Sequence, residues 1–184
     1  MSTRPGPGRA PRFAAVAGAI ALLVALATGA HAYLALEPLG PDATAGPGRT
    51  VTVAGVDYRL DRFAVGTRFA PDEAGDDPVR APAGTEIVFV TFTRTVHDRR
   101  SPLDEQFCDV SLRAGDDVWQ TDDTVTYRIA RPRRLTCSAT DDAPLAYDQP
   151  ARIGVAFLVP AGKADRAVLR IEVDGGDHGV ELHR

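Results

Sequence analysis

The 184-residue sequence contains no asparagine, so it carries no acceptor for N-linked glycosylation. Its single methionine is the initiator, which excludes a methionine-rich copper site. It has only two cysteines, Cys108 and Cys137. Neither lies near the apolar stretch at residues 13–36, so a lipid-modified cysteine is excluded there. They are also too far apart for the Cys-x-x-Cys spacing of a redox pair. No Gly-x-Ser-x-Gly elbow, His-Glu-x-x-His pair, phosphate loop or dinucleotide fingerprint occurs. Beyond the apolar stretch the serines are few: Ser101, Ser111 and Ser138. No cofactor is therefore expected, and no catalytic residue is assigned. An excess of positive charge is missing too. The chain has 21 basic and 25 acidic residues, and from Thr50 onward the balance is 17 against 23. That balance excludes nucleic acid as the expected partner, since such binding needs a basic face.

What the sequence does have is one long uncharged run, Phe13 to Leu36. About 24 residues at 1.5 Å each give a helix of about 36 Å, enough for a hydrocarbon core of about 30 Å. Arg4, Arg9 and Arg12 precede it, and no acidic residue appears before Glu37. This asymmetry predicts a cytoplasmic N-terminus and an extracytoplasmic remainder, in the plasma membrane as a single-pass signal anchor. Ala30-His31-Ala32 also has the small-x-small form of a cleavage site, and cleavage after Ala32 gives a secreted protein instead. The apolar residues that continue past it, Tyr33, Leu34 and Leu36, favour the anchor. Residues 1–12 are expected as a disordered cytoplasmic stub, and 37–49, with three prolines and three glycines, as a linker.

Residues 50–184 form the exported domain. Apolar residues here recur every second position, the period of a strand. Val51 and Val53 alternate with polar neighbours before an Ala54-Gly55 turn. Residues 58–65 follow with apolar residues on both faces and no clear register. Thr85 to Thr95 is the strongest strand, with Val88, Val90 and Phe92 on one face and Ile87 and Phe89 on the other, as in a central, covered strand. Cys108, Val110 and Leu112 share the core face of the next. A turn at Ala114 to Asp117 leads into Val118-Trp119-Gln120. Thr124 to Ile129 and Leu135 to Ser138 read as weaker strands. Arg152 to Val159, Ala167 to Val173 and Val180 to Leu182 complete the set, and Ala161 to Asp165 is a loop or one helical turn. Seven to nine short strands predict an all-β fold, an antiparallel immunoglobulin-like β-sandwich, with a small barrel as the alternative. An even cysteine count in an oxidising compartment predicts the disulfide Cys108–Cys137.

The anchor and Pro/Gly linker, Val56-Asp57-Tyr58-Arg59-Leu60, the strand Ile87 to Phe92, the hairpin Leu112 to Trp119 and the late Phe157-Leu158-Val159-Pro160-Ala161 form one pattern. In this the chain resembles the telokin-like, Ig-like family of extracytoplasmic bacterial domains that includes small secreted immunoprotective antigens. The resemblance covers about Val51 to Val173. It implies a sandwich without established enzymology and transfers no site residue.

Two groups are metal candidates by composition. Asp116, Asp117, Asp122 and Asp123 flank one hairpin, and loop carboxylates suit calcium. His178 and His183 sit near the C-terminus beside Asp174 and Asp177, and suit zinc. Neither has the spacing of a known ligand pattern. His97 stands beside Asp98 in a charged excursion. Arg128, Arg131, Arg133 and Arg134 form the only basic cluster. The expectation is a non-enzymatic interaction or accessory module at the cell surface, meeting a cell-envelope protein or polymer. An exported hydrolase with an unrecognised site and a Ca/Zn-binding surface module are the alternatives.

Overall fold

The computed structural model describes residues 21–28, 40–100, 102–103, 107–129, 137–140, 143–173 and 178–184. The chain divides into two compact units, Met1–Pro38 and Leu39–Arg184.

The described part of the first unit is a helix, α1, at residues 21–28. Leu22, Leu23, Val24 and Leu26 are all exposed on it. The Thr28 hydroxyl donates back to the Val24 carbonyl at 2.8 Å. Among the described residues no helix is long and apolar enough to cross a membrane. The predicted transmembrane helix is therefore not found there. Residues 13–20 and 29–36 of that span, and the stub 1–12, lie outside the described residues.

The second unit is a sandwich of two sheets. Its elements in order are β1 (Ala43–Ala45), β2 (Thr50–Val53), β3 (Val56–Gly66), β4 (Arg68–Phe69), β5 (Val79–Arg80), β6 (Thr85–Val96), β7 (Cys108–Ala114), β8 (Asp117–Gln120), α2 (Asp123–Ile129), β9 (Pro150–Pro160), a 3-10 turn (Ala164–Arg166), β10 (Val168–Val173) and β11 (His178–Leu182). One sheet runs β1-β11-β10-β7-β8 and the other β2-β3-β6-β9, while β4 and β5 form a separate hairpin. Among the described residues nine strands build the two layers, a number within the seven to nine expected though not the same set.

Four expectations need correction. The sandwich is not wholly antiparallel, because β1 pairs with β11 in parallel. That strand comes from the stretch expected as linker; Asp42 N–H donates to the Gly179 carbonyl at 2.7 Å. Thr124 to Ile129 is helix and not strand, and Cys137 and Ser138 lie in a bend. The connection order also has a feature of its own. In the immunoglobulin arrangement the consecutive strands B and C lie in opposite sheets. Here β3 and β6, joined through the β4–β5 hairpin, are hydrogen-bonded neighbours.

The unclear register of residues 58–65 has a physical cause. Val56, Tyr58 and Leu60 point into the core, and then the pairing with β6 slips between Leu60 and Arg62. One extra residue, Asp61, forms a β-bulge that flips the alternation. Phe63 then packs against the core, and Arg62 is exposed. The main core lies between the layers, with Val88, Val90, Phe92, Ile153, Val155 and Phe157 facing Leu112, Leu169, Ile171, Val180 and Leu182. A second apolar cluster covers the outer face of the four-stranded sheet. There Ile87, Phe89 and Ala156 meet Val79 of β5 and Ile129 of α2. This is the cover that the two-faced apolar pattern of β6 demanded.

Candidate functional site

Two places in the second unit concentrate polar chemistry, and α2 positions the first. Asp122 caps the helix: its Oδ1 accepts from Val125 N–H at 2.9 Å, satisfying a donor that a helix start leaves open. Asp123 in the first turn and Arg128 in the last suit the helix dipole. Val125 and Ile129, four residues apart, share the face turned to the second cluster. The helix also closes the edge of β9. Asp122 N–H donates to the Ala156 carbonyl at 2.8 Å, and the buried Thr126 hydroxyl accepts from Ala156 N–H at 2.8 Å.

Beside this helix lies a cleft of about 270 Å³, lined by the apolar side chains of Phe69, Phe89 and Ile129, with Ala70 and Pro71. Phe69 and Phe89 meet edge to face, with centroids 6.2 Å apart. Among the described residues Arg62 and Asp72 are its charged lining residues. Asp72 is engaged within the chain, and its backbone N–H donates to the Arg128 carbonyl at 2.5 Å. Among the described residues Arg62 has neither an ion pair nor a hydrogen-bonding side-chain partner. Thr91, the register partner of Arg62, is 3 % exposed, and among the described residues its hydroxyl has no hydrogen-bond partner.

The second place is a clasp at the far end of β6. His97 Nδ1 lies 2.8 Å from Asp148 Oδ1, and its Nε2 lies 3.1 Å from Asp57 Oδ2. Arg99 donates to the other Asp148 oxygen at 2.7 Å and stands over the Tyr147 ring, 5.6 Å from its centroid. The Asp148 and Asp57 carboxylates raise the His97 pKa above 6.5. His97 and then Arg99 lower that of Asp148. Asp98 is likewise lowered by Arg100, which donates to both its oxygens. The backbone supports the clasp through Gly55, whose carbonyl accepts from both His97 and Asp98 N–H. Gly55 has φ +72°, and a Cβ there would lie 2.7 Å from Asp98 Cβ. Both imidazole nitrogens face carboxylates, so neither is directed at a nucleophile.

The metal candidates separate. Asp122 caps α2, Asp117 pairs with Lys163 at 2.9 Å, and Asp116 and Asp123 are exposed. His178 Nδ1 is 3.4 Å from Asp42, while His183 Nε2 is 3.9 Å from Glu181. The backbone N–H of Gly179, and then His178, lower the Asp42 pKa. Among the described residues no three His, Cys, Asp or Glu side chains are grouped to hold a metal. Asp174 and Asp177, and Arg131, Arg133 and Arg134 of the basic cluster, lie outside the described residues.

The disulfide Cys108–Cys137 is formed, with Cα atoms 5.5 Å apart. Next to it is a residue that the sequence reading did not single out. Arg94, on the core face of β6, is 1 % exposed, and its Nη1 donates to the Cys137 carbonyl at 2.5 Å. Its signal was positional, since period two from Val88 through Phe92 carries it inward. Arg170, 3 % exposed on β10, lies over Gly179 between Glu172 at 3.3 Å and Glu181 at 3.6 Å.

These two layers define a β-sandwich protein. No family model matches the chain, and no curated protein matches it. Similar solved structures include a conserved hypothetical protein from Bacillus anthracis, 11% identical with TM-score 0.52, over 74% of this chain and 93% of that one. The YjhA protein of Bacillus subtilis is 11% identical with TM-score 0.48, over 74% and 98%. An uncharacterized β-sandwich protein of Clostridium difficile 630 is 7% identical with TM-score 0.43, over 78% and 95%. The likeness to the Bacillus anthracis protein shows a shared fold.

Proposed function

We propose that the chain is a single-pass plasma-membrane protein whose β-sandwich is displayed outside the cytoplasm as a non-enzymatic interaction or accessory module. The observation that carries this reading is the Cys108–Cys137 disulfide, because such bridges persist in oxidising compartments. The exposed leucines of α1 support a lipid-facing segment, and the arginines before residue 13 support its orientation. The two-layer fold supports the β-sandwich that the telokin-like, Ig-like resemblance implies, though its strand order differs from the immunoglobulin one. The His97 clasp supports a non-catalytic role, since its ring nitrogens are both taken up by carboxylates. The partner is a cell-envelope protein or polymer.

A reporter fused after Arg184 tests the placement. On intact protoplasts, added protease should remove it, and the membrane fraction should retain the N-terminal segment. A reporter shielded from protease would overturn the reading. Mass measurement of the exported protein separates the two tethers, because a mature start at Tyr33 ends the anchor model.

A further inference from the structure

We infer that the cleft beside α2 binds small carboxylic acids with an apolar body, Arg62 taking the carboxylate and Phe69, Phe89 and Ile129 the body. The inference is independent of where the domain resides.

The shape comes first. A volume of about 270 Å³ is near the lower end of small-molecule sites, which fits one ring or a short aliphatic chain. The lining is mostly apolar, with few polar groups to fix orientation, as such sites require. Its two rings already pack edge to face, so the apolar wall is preformed.

The charge selects the ligand. Asp72 is engaged within the chain. Arg62 is exposed and, among the described residues, has no carboxylate within ion-pair reach. A guanidinium fork matches a carboxylate in two parallel hydrogen bonds. Among the described lining residues the Arg62 guanidinium balances one negative charge, and the nearby Asp72 disfavours a dianion such as phosphate. The β-bulge at Asp61 turns Arg62 to this face; without that extra residue the alternation would carry it toward the core.

The test uses the full chain in lipid nanodiscs, with empty nanodiscs as the blank, and ligand-observed NMR titration. Phenylacetate is the acid probe and phenylacetamide its neutral match. Phenylacetate should bind at least tenfold more tightly. Arg62→Gln should reduce phenylacetate to the level of the amide and leave the amide unchanged. Ala70→Trp, at an exposed position on the cleft, should abolish binding of both. Equal binding of acid and amide would overturn the inference, as would absence of binding by either, or phenylacetate binding that survives Ala70→Trp.

Discussion

Arg94 of one sheet holds the backbone carbonyl of Cys137, the residue bridged to β7 of the other. A buried cation and a covalent bridge therefore fasten the same point. The hydrogen bond runs from a charged donor, and such bonds contribute about 1.5–3 kcal/mol. The bridge closes a loop with a sequence separation of 29 and contributes about 3–4 kcal/mol in the chain-entropy model. Residues that share a partner do not act additively. Arg94→Met should destabilise the oxidised protein by about 1.5–3 kcal/mol. In the Cys108→Ala, Cys137→Ala background the same substitution should cost less, because the bend is no longer tied at its other end. Urea melts of the four proteins measure the cycle, and equal costs in both backgrounds would show that the two fasteners are independent.

The His97 clasp makes stability depend on pH in a stated direction. Hydrogen bonds to Asp148 and then Asp57 raise the histidine above its usual 6.5. A group raised on folding adds stability that is fully present below the unfolded value and lost as pH climbs through the folded one. Asp148 is lowered from 3.8, so its share is present above that value and lost as pH falls through the lowered one. The clasp is complete between these limits. Relative to His97→Gln, the wild-type melting temperature should be higher below pH 6.5 and should lose that lead as pH rises through the raised folded value. The His97 ring should titrate by NMR with a midpoint above 6.5, moving toward 6.5 in Asp148→Asn. High salt should shrink the effect, since the ring is 44% exposed.

Much of this fold could be read from period two alone. The two apolar faces of β6 announced a covered strand, and Cys108 was placed on the core face of β7 by alternation with Val110 and Leu112. What could not be read was anything set by a single residue out of step. Asp61 adds one position to β3, and every side chain after it changes face. Residues 124–129 mislead in a different way. Thr124, Val125, Thr126 and Tyr127 favour strand by propensity. Asp122 as N-cap, Arg128 in the last turn and the Val125–Ile129 spacing argue for helix. Tertiary cover of Phe89 decides for the helix. The clasp was invisible for another reason: Asp57, His97 and Asp148 are brought together only by the strand pairing of β3, β6 and β9.

Thr126 carries the protection of a sheet edge. β9 is the last strand of its sheet, and its Ala156 N–H points to the Thr126 hydroxyl. An open edge invites pairing with another chain. Thr126→Val keeps the shape and removes the acceptor, leaving a buried N–H unpaired at a cost of about 1–3 kcal/mol. The variant should melt earlier and exchange the Ala156 amide faster in hydrogen-exchange NMR. If the helix were merely packed on the edge, the amide rate would stay at its wild-type value.

Thr91 gives the opposite sign. It is 3 % exposed between Arg62 and Gly154 in the register, and among the described residues its hydroxyl is without a partner. A buried hydroxyl without a hydrogen bond costs about 1–3 kcal/mol by mutational measure. Valine has nearly the same shape, keeps the β-branch that suits a central strand, and carries no polar group. Thr91→Val should therefore stabilise the free protein by about 1 kcal/mol or more, seen as a higher urea midpoint at unchanged slope. A lower midpoint would mean that the hydroxyl is bonded in solution.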